Sequence, residues 1–471
     1  MGLTYFLGIV LAALSVRRNA PLVRAPGAGA AVPAPAWVLP GFVALVLLLV
    51  ATSGVQLRIL DDAAANQTMP AWQRALPLHI LTGNGLSGVR DGARLGGIVE
   101  ALAVLQTLGL VGLWATLRRF GKPTPALVCL ALAGACALAW EAARAQLAGP
   151  DIYAYLGFAL EPHPYRPGGL PPSGPDAAVG AMWGVPLPPS PYGPVWTAFS
   201  HALVSGGGSF GAQLALFRGV GLVAMALSIV ALAFAKRPLA AALFGLDPTL
   251  WQIYVAEAHN DIAGIALLLV ALACRRRALV VAVACVALAG AIKLPLLAIG
   301  LVVLATAPTL RGRLVPCAVA ALGGLALTFG LGGRDYLWAL RRTAEIYPRV
   351  VPPGEWAAHA VLAAIAIAAI GAAVLARRFA WGAPWSFVAA APYTAWQYLG
   401  WGIPYALLDE TRGQLYLAVF PLTAFESTLI FNGAPLFDAI RAVVLLVLVS
   451  LLAIAFLRPA SRAGRPSFGT A

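Results

Sequence analysis

Charge is scarce in this sequence. Only 11% of its 471 residues are Asp, Glu, Lys or Arg, where soluble domains carry about 25%. With 61% hydrophobic residues and a mean hydropathy of +0.84, the chain falls outside the soluble class. Cysteine is sparse as well. Cys129, Cys136, Cys274, Cys285 and Cys317 lie in or beside apolar runs without metal-like spacing, so they read as packing residues. No phosphate-cradling GxxxxGK[ST] loop occurs, and no GxGxxG opens a βαβ unit, which argues against an internal nucleotide-driven motor. No basic leader precedes the apolar start Thr4–Val16, which therefore reads as a short first span rather than a signal peptide. No internal repeat of fixed period is visible, so repeat-built transporters gain no support.

What the sequence does contain is apolar runs. Crossing the hydrocarbon core takes about 20 mostly apolar residues, and unpaired backbone amides are not tolerated in lipid. Without period-two alternation the runs must be helices. They fall at 4–16, 37–57, 97–117, 124–146, 211–235, 239–257, 261–274, 278–291, 293–308, 314–332, 356–376, 382–400, 413–431 and 436–457. The expectation is an all-α, polytopic transmembrane protein of about 11–14 membrane helices, one integral membrane domain over 1–471. The short runs in the middle read as hairpins or broken helices, which suits an internal site.

The net charge of +14 sits largely in clusters between these runs, as topology signals do, and does not indicate nucleic acid. The clusters are Arg17/Arg18/Arg24, Arg118/Arg119/Lys122, Lys236–Arg237, Arg275–Arg277, Arg311/Arg313 and Arg377–Arg378. If all face the cytoplasm, the other face receives 58–96, 148–210, the tips at His259–Asp261 and Lys293, and 333–355. The scheme strains after Arg378, where three apolar stretches would put the basic tail outside, so 401–431 is expected not to cross.

Candidate chemistry gathers on that second face. Residues 162–194 hold eleven of the 36 prolines and cannot span. Around them stand Asp151, Tyr153, Tyr155, Tyr165 and Tyr192. Asp151 fits either a general base for an acceptor hydroxyl or the cap of a short interfacial helix over 152–160. His259–Asn260–Asp261 fits a sugar-binding or base-orienting group, or a solvated hairpin tip. Two ligands so close make weak metal signal. Lys293 suits a phosphate or snorkels at an interface. Arg334, Arg341 and Arg342, interleaved with Tyr336 and Trp338 in an amphipathic outer segment 333–355, suit a donor lipid phosphate or anchoring to anionic headgroups. A transporter or lipid flippase could use the same polar residues as a pathway, but the clustering on one face favours an enzyme.

Four pieces occur in a telling order: DIYAYLGFALEPHPY (151–165), PSPYGPVW (189–196), AEAHNDIAGIALLLVAL (256–272) and AIKLPLLAIG (291–300). They resemble the actinobacterial polyprenyl-phosphomannose-dependent α-mannosyltransferases of the multi-spanning C-type glycosyltransferase fold (GT-C), over roughly residues 125–310. The resemblance implies a mannose donor carried on polyprenyl phosphate, held with its lipid in the bilayer, and a glycan or lipid-linked acceptor. It implies inversion with Asp151 as base, and a sugar site lined by Tyr153, Tyr192, His259, Asn260 and Asp261. Tyr155 and Tyr165 join that site by position, and Lys293 would contact the donor phosphate. The site would face outward from a bacterial plasma membrane. Nothing in the sequence requires a cofactor, and a divalent metal is left open.

Overall fold

The computed structural model describes residues 37–65, 90–120, 124–145, 150–166, 189–306, 309–350, 396–408 and 410–431. The expected spans 4–16, 356–376 and 436–457 lie outside these residues, as do 167–188 and most of 382–400. Among the described residues every regular element is a helix, as backbone in lipid requires. Proline starts many of them, which accounts for part of its abundance. It lacks only a donor that a first turn cannot use, and its φ is already helical. Pro125, Pro150, Pro194, Pro238 and Pro248 each open a helix, and Pro295 sits in the first turn of another.

Among the described residues, five stretches are long and apolar enough to cross a membrane. They lie in α1 (Val38–Ala65), α2 (Arg90–Phe120), α3 (Pro125–Arg144), α6 (Phe210–Phe234) and α12 (Leu310–Val350). Among the described residues between α3 and α6 are two helices of eleven residues, α4 (Pro150–Leu160) and α5 (Pro194–Val204). On α6, Leu216, Val223, Leu227, Val230 and Phe234 form one exposed stripe, spaced to share a helix face, as a surface turned to lipid would be. The protein is an all-α, polytopic integral membrane protein.

The run 239–257 is a broken helix. α7 (Pro238–Gly245) bends by 60° into α8 (Pro248–Trp251) and the π-turn Gln252–Ala256. Asp247 makes the break by capping α8, accepting from the amides of Thr249 and Leu250. α9 (Asp261–Cys274), α10 (Leu279–Ile292) and α11 (Leu294–Leu304) follow, with 14, 14 and 11 residues. At 1.5 Å per residue they rise about 16–21 Å, short of the roughly 30 Å core. α9 and α10 run as a hairpin packed between α6 and α12. The start of α9 and the end of α10 therefore share one end of the bundle, and the Arg275–Arg277 turn lies at the other. The stretch 401–431 divides into α14 (Gly402–Ala406), α15 (Glu410–Ala418) and α16 (Phe420–Phe431), preceded by α13 (Trp396–Leu399). None of these reaches spanning length.

α12 is interrupted at Gly333, whose φ of 58° and ψ of −155° are not helical, a backbone state open to glycine. Beyond it the helix is amphipathic, as 333–355 predicts for its described part. Tyr336 and Ala339 are buried against Tyr165, while Arg334, Arg341 and Arg342 are exposed. Arg166 pairs with Asp335 at 2.6 Å and lies over the Trp338 ring, so the chain following α4 is fastened to this segment.

Gly193 in the Pro-Tyr-Gly-Pro piece sets how closely α5 approaches the α10–α11 junction. Its N–H donates to Ile292 O at 3.0 Å. A Cβ there would stand 2.2 Å from Ala291 O and 2.6 Å from Ile292 O. Backbone cannot yield as a side chain does, so Gly193→Ala is expected to destabilise the protein by roughly 1–3 kcal/mol. The readout is the thermal-aggregation midpoint in detergent, and an unchanged midpoint would contradict this packing.

Candidate functional site

At the end shared by α9 and α10 the chain concentrates its buried charge. The π-turn delivers Gln252 inward, a geometry frequent at functional sites. Ala258 then takes φ 55°, a left-handed state that costs a non-glycine residue about 1 kcal/mol. This reversal puts Glu257 and His259 on the same side. His259 stands between two carboxylates, with Nδ1 3.2 Å from Asp151 Oδ2 and Nε2 3.3 Å from Glu257 Oε2. Asp151 lies in the first turn of α4 and directs its carboxylate to His259. The Tyr155 hydroxyl, one turn on, lies 3.5 Å from Asp151 Oδ2 and accepts the Asn260 N–H at 3.0 Å.

The second half of the cluster is built on Asp261, at the start of α9. Its Oδ1 accepts from Lys293 Nζ at 2.8 Å and from the Trp401 indole N–H at 2.6 Å. Lys293 is the residue between α10 and α11. Its ammonium lies 4.7 Å from the Tyr398 ring centre and 5.2 Å from that of Trp401, within cation–π range. The two sequence tips expected to share a face are thus in direct contact.

Burial divides the cluster. The side chains of Glu257, His259 and Asp261 are at most 2% exposed, whereas Asp151 and Lys293 keep 11% and 12%. The least buried ionic residues of the cluster are thus one carboxylate and one cation. Behind them, both side-chain amide atoms of Asn260 and Oδ2 of Asp261 are buried without a hydrogen-bond partner. Such atoms cost about 1–3 kcal/mol each if left unmet, so they suit a polar ligand.

The charge states follow from position. α4 and the 257–260 turn lie outside the spanning stretches. Burial alone would push the Asp151 carboxyl up, but the His259 hydrogen bond and charge, with Lys293 behind, hold it below its ordinary value. Burial would deprotonate His259, yet its two carboxylates push it up to about 10. Burial raises Glu257, against the pull of His259 and of Gln252. Among the described residues no group of three His, Cys, Asp or Glu side chains is arranged to hold a metal ion.

The remaining candidates separate into three groups. Tyr153, Tyr155 and Tyr192 are buried beside Trp196 and Phe217 in one aromatic cluster, where Tyr155 meets the Tyr192 ring edge-on at 4.8 Å. Tyr165 holds the backbone instead, its hydroxyl bonded to Tyr192 O and Thr197 Oγ1. Arg334, Arg341 and Arg342 are exposed on the amphipathic part of α12, in contrast to the buried cluster. Reading the sequence alone missed Glu257, Gln252, Tyr398 and Trp401. Glu257 had a visible signal, an acid inside an apolar stretch two residues before His259. Trp401 and Tyr398 had none, because aromatic residues are ordinary in membrane segments.

A helical membrane protein that buries a carboxylate, a cation and unpartnered polar atoms in one cluster has the makings of a membrane enzyme with a polar substrate. A family model described as "Alpha-(1->6)-mannopyranosyltransferase, N-terminal domain" matches residues 41–309, more than half of the chain, and the protein belongs to that family. It is therefore a mannosyltransferase, and the enzyme reading displaces the transporter one. No curated protein and no solved structure matches it.

The His259 pair makes a stability prediction. A base whose folded pKa is raised contributes fully below its unfolded value and loses that contribution as pH climbs through the folded one. For His259 the window runs from about 6.5 to about 10. Thermal stability in detergent should fall across that alkaline window, and more steeply in the wild type than in His259→Gln. Parallel pH curves would contradict an imidazolium at this position.

Proposed function

We propose that the protein transfers mannose from a polyprenyl-phosphate-linked donor to an acceptor hydroxyl, with inversion at the anomeric carbon and Asp151 as general base. The observation that carries this reading is that Asp151 and Lys293 are the least buried ionic residues of one buried cluster. An inverting displacement needs a base on one side of the anomeric carbon and a cation at the leaving group on the other.

The acceptor oxygen attacks the anomeric carbon as Asp151 takes its proton. The bond from that carbon to the phosphate oxygen breaks, its electron pair leaves with polyprenyl phosphate, and Lys293 balances the charge. Asn260 and Asp261 offer their open polar atoms to sugar hydroxyls. Because the family is described as forming α-(1→6) links, inversion requires a β-linked donor, and the acceptor is the primary hydroxyl of a mannose-containing glycan or glycolipid. The donor lipid lies in the bilayer beside the exposed apolar helix faces. The site opens on the non-cytoplasmic side of a bacterial plasma membrane. Supporting that orientation, the Arg275–Arg277 turn, a cytoplasmic signal by the positive-inside rule, lies at the opposite end of α9.

In proteoliposomes supplied with polyprenyl-phosphate mannose and an oligomannoside acceptor, Asp151→Asn should lower turnover by about 10²–10⁴-fold, the range of general-base catalysis, while still inserting and binding donor. Turnover within about tenfold of the wild type would remove Asp151 from the role. Lys293→Ala should weaken donor use by roughly tenfold or more in kcat/KM, and Lys293→Arg should recover part of it. Equal activity of all three Lys293 proteins would remove the cation from the donor site.

A further inference from the structure

Behind His259 runs a line of buried polar side chains that the proposed transfer does not use. Thr249 Oγ1 donates to Gln106 Oε1 at 3.4 Å, and Gln106 Nε2 donates to Gln56 Oε1 at 2.8 Å. Gln56 Nε2 donates to Gln252 Oε1 at 2.7 Å, and Gln252 Nε2 donates to Glu257 Oε1 at 3.1 Å. The members come from α1, α2, α8 and the π-turn, and Gln56, Gln106, Gln252 and Glu257 are at most 5% exposed.

Every bond in this line runs the same way. Each amide gives its N–H toward Glu257 and takes a donor from behind, so the amide dipoles align with their positive ends on the carboxylate. In a medium of low polarity such a series favours the ionised acid. An ionised Glu257 can only accept at its second oxygen, so His259 Nε2 must carry a proton. The other ring nitrogen faces the carboxylate of Asp151, which requires a proton there as well.

We infer that Glu257, oriented by the Gln106–Gln56–Gln252 line, is a positioning residue for the transfer reaction. It keeps His259 doubly protonated, and His259 in turn fixes the orientation of the Asp151 carboxylate through Oδ2. This rests on Asp151 being the base. The groups facing the His259 ring and its partners are Asp151 and Tyr155 from α4, Tyr192 from the turn before α5, and Arg218 from α6. Asp261 from α9 and Lys293 from the α10–α11 junction complete them. None of these replaces Glu257 at Nε2.

The direction of the pH effect follows. Activity needs the imidazolium and is lost as His259 gives up its second proton at high pH. Removing the Glu257 charge lowers the pH at which that happens. In proteoliposomes, Glu257→Gln should move the alkaline limb of the kcat profile down by about one pH unit or more. Turnover should recover toward wild type on the acid side, with the donor KM changed less than about threefold. Gln252→Leu should shift the limb the same way by less, and it decides the matter if Glu257→Gln does not fold. A residue that merely packs would lower turnover at every pH and leave the limb in place, and that outcome in both variants overturns the inference.

A second readout does not depend on activity. Nitrogen NMR of histidine-labelled protein, with His259 assigned from the spectrum missing in His259→Gln, should show both ring nitrogens protonated at mildly alkaline pH in the wild type and not in Glu257→Gln. If Asp151→Asn keeps full turnover, the base assignment fails even when the NMR result stands. If Asp151→Asn is inactive but His259 titrates alike with and without Glu257, the Glu257 inference fails alone.

Discussion

Asp151, Glu257 and Asp261 are buried at one end of a largely apolar bundle, and each needs a cation or a donor. Desolvating a carboxylate costs several kcal/mol that only close, well-oriented partners return. For Asp151 and Asp261 those partners are far away in sequence, and for Glu257 they are neighbours on the same turn. Asp261 takes Lys293 and Trp401, Asp151 takes His259, and Glu257 takes His259 and Gln252. Meeting these needs ties α4, α9, the α10–α11 junction and the 396–401 segment to one point. Apolar packing alone would let the same helices slide, since dispersion has no direction. The ionic pairs give the end of the bundle a single arrangement.

Much of the fold was legible because lipid leaves the backbone few options. Low charge and uninterrupted apolar runs dictate helices, and the runs at 37–57, 97–117, 124–146 and 211–235 reappear as α1, α2, α3 and α6 with small changes at their ends. The middle was legible only in outline. Hydropathy counts residues but does not register a bend, and the break at Asp247 depends on a carboxylate turning back to two amides. Likewise α9, α10 and α11 are as apolar as true spans, and only the Arg275–Arg277 turn and the extended backbone at Lys293 cut them short.

The site was legible where it is ionic and illegible where it is neutral. Asp151, His259, Asp261 and Lys293 stand out because charge is rare, and the alternation of basic clusters placed them at one end before any distance was known. At Asp151 the carboxylate meets His259 and, within its own helix, the Tyr155 hydroxyl. His259–Asn260–Asp261 is not a solvated tip, because all three are buried. Glutamines such as Gln56 and Gln106 gave no signal, for an amide in a span reads as a tolerated polar residue until its partners are seen. Trp401 and Tyr398 were hidden for the opposite reason, being indistinguishable from the aromatic residues of any bilayer-embedded segment.

Trp401 also bears on what counts as a unit of this family. The family match ends at residue 309, yet the indole that holds Asp261 and the two rings that cover Lys293 belong to residues 398–401. The matched N-terminal region thus carries the charges, and residues beyond it supply the aromatic wall beside Lys293. A boundary drawn from similarity need not be a boundary in the cavity. Substitutions at Tyr398 or Trp401 would change how tightly the Lys293 ammonium is held without touching any residue of the matched region.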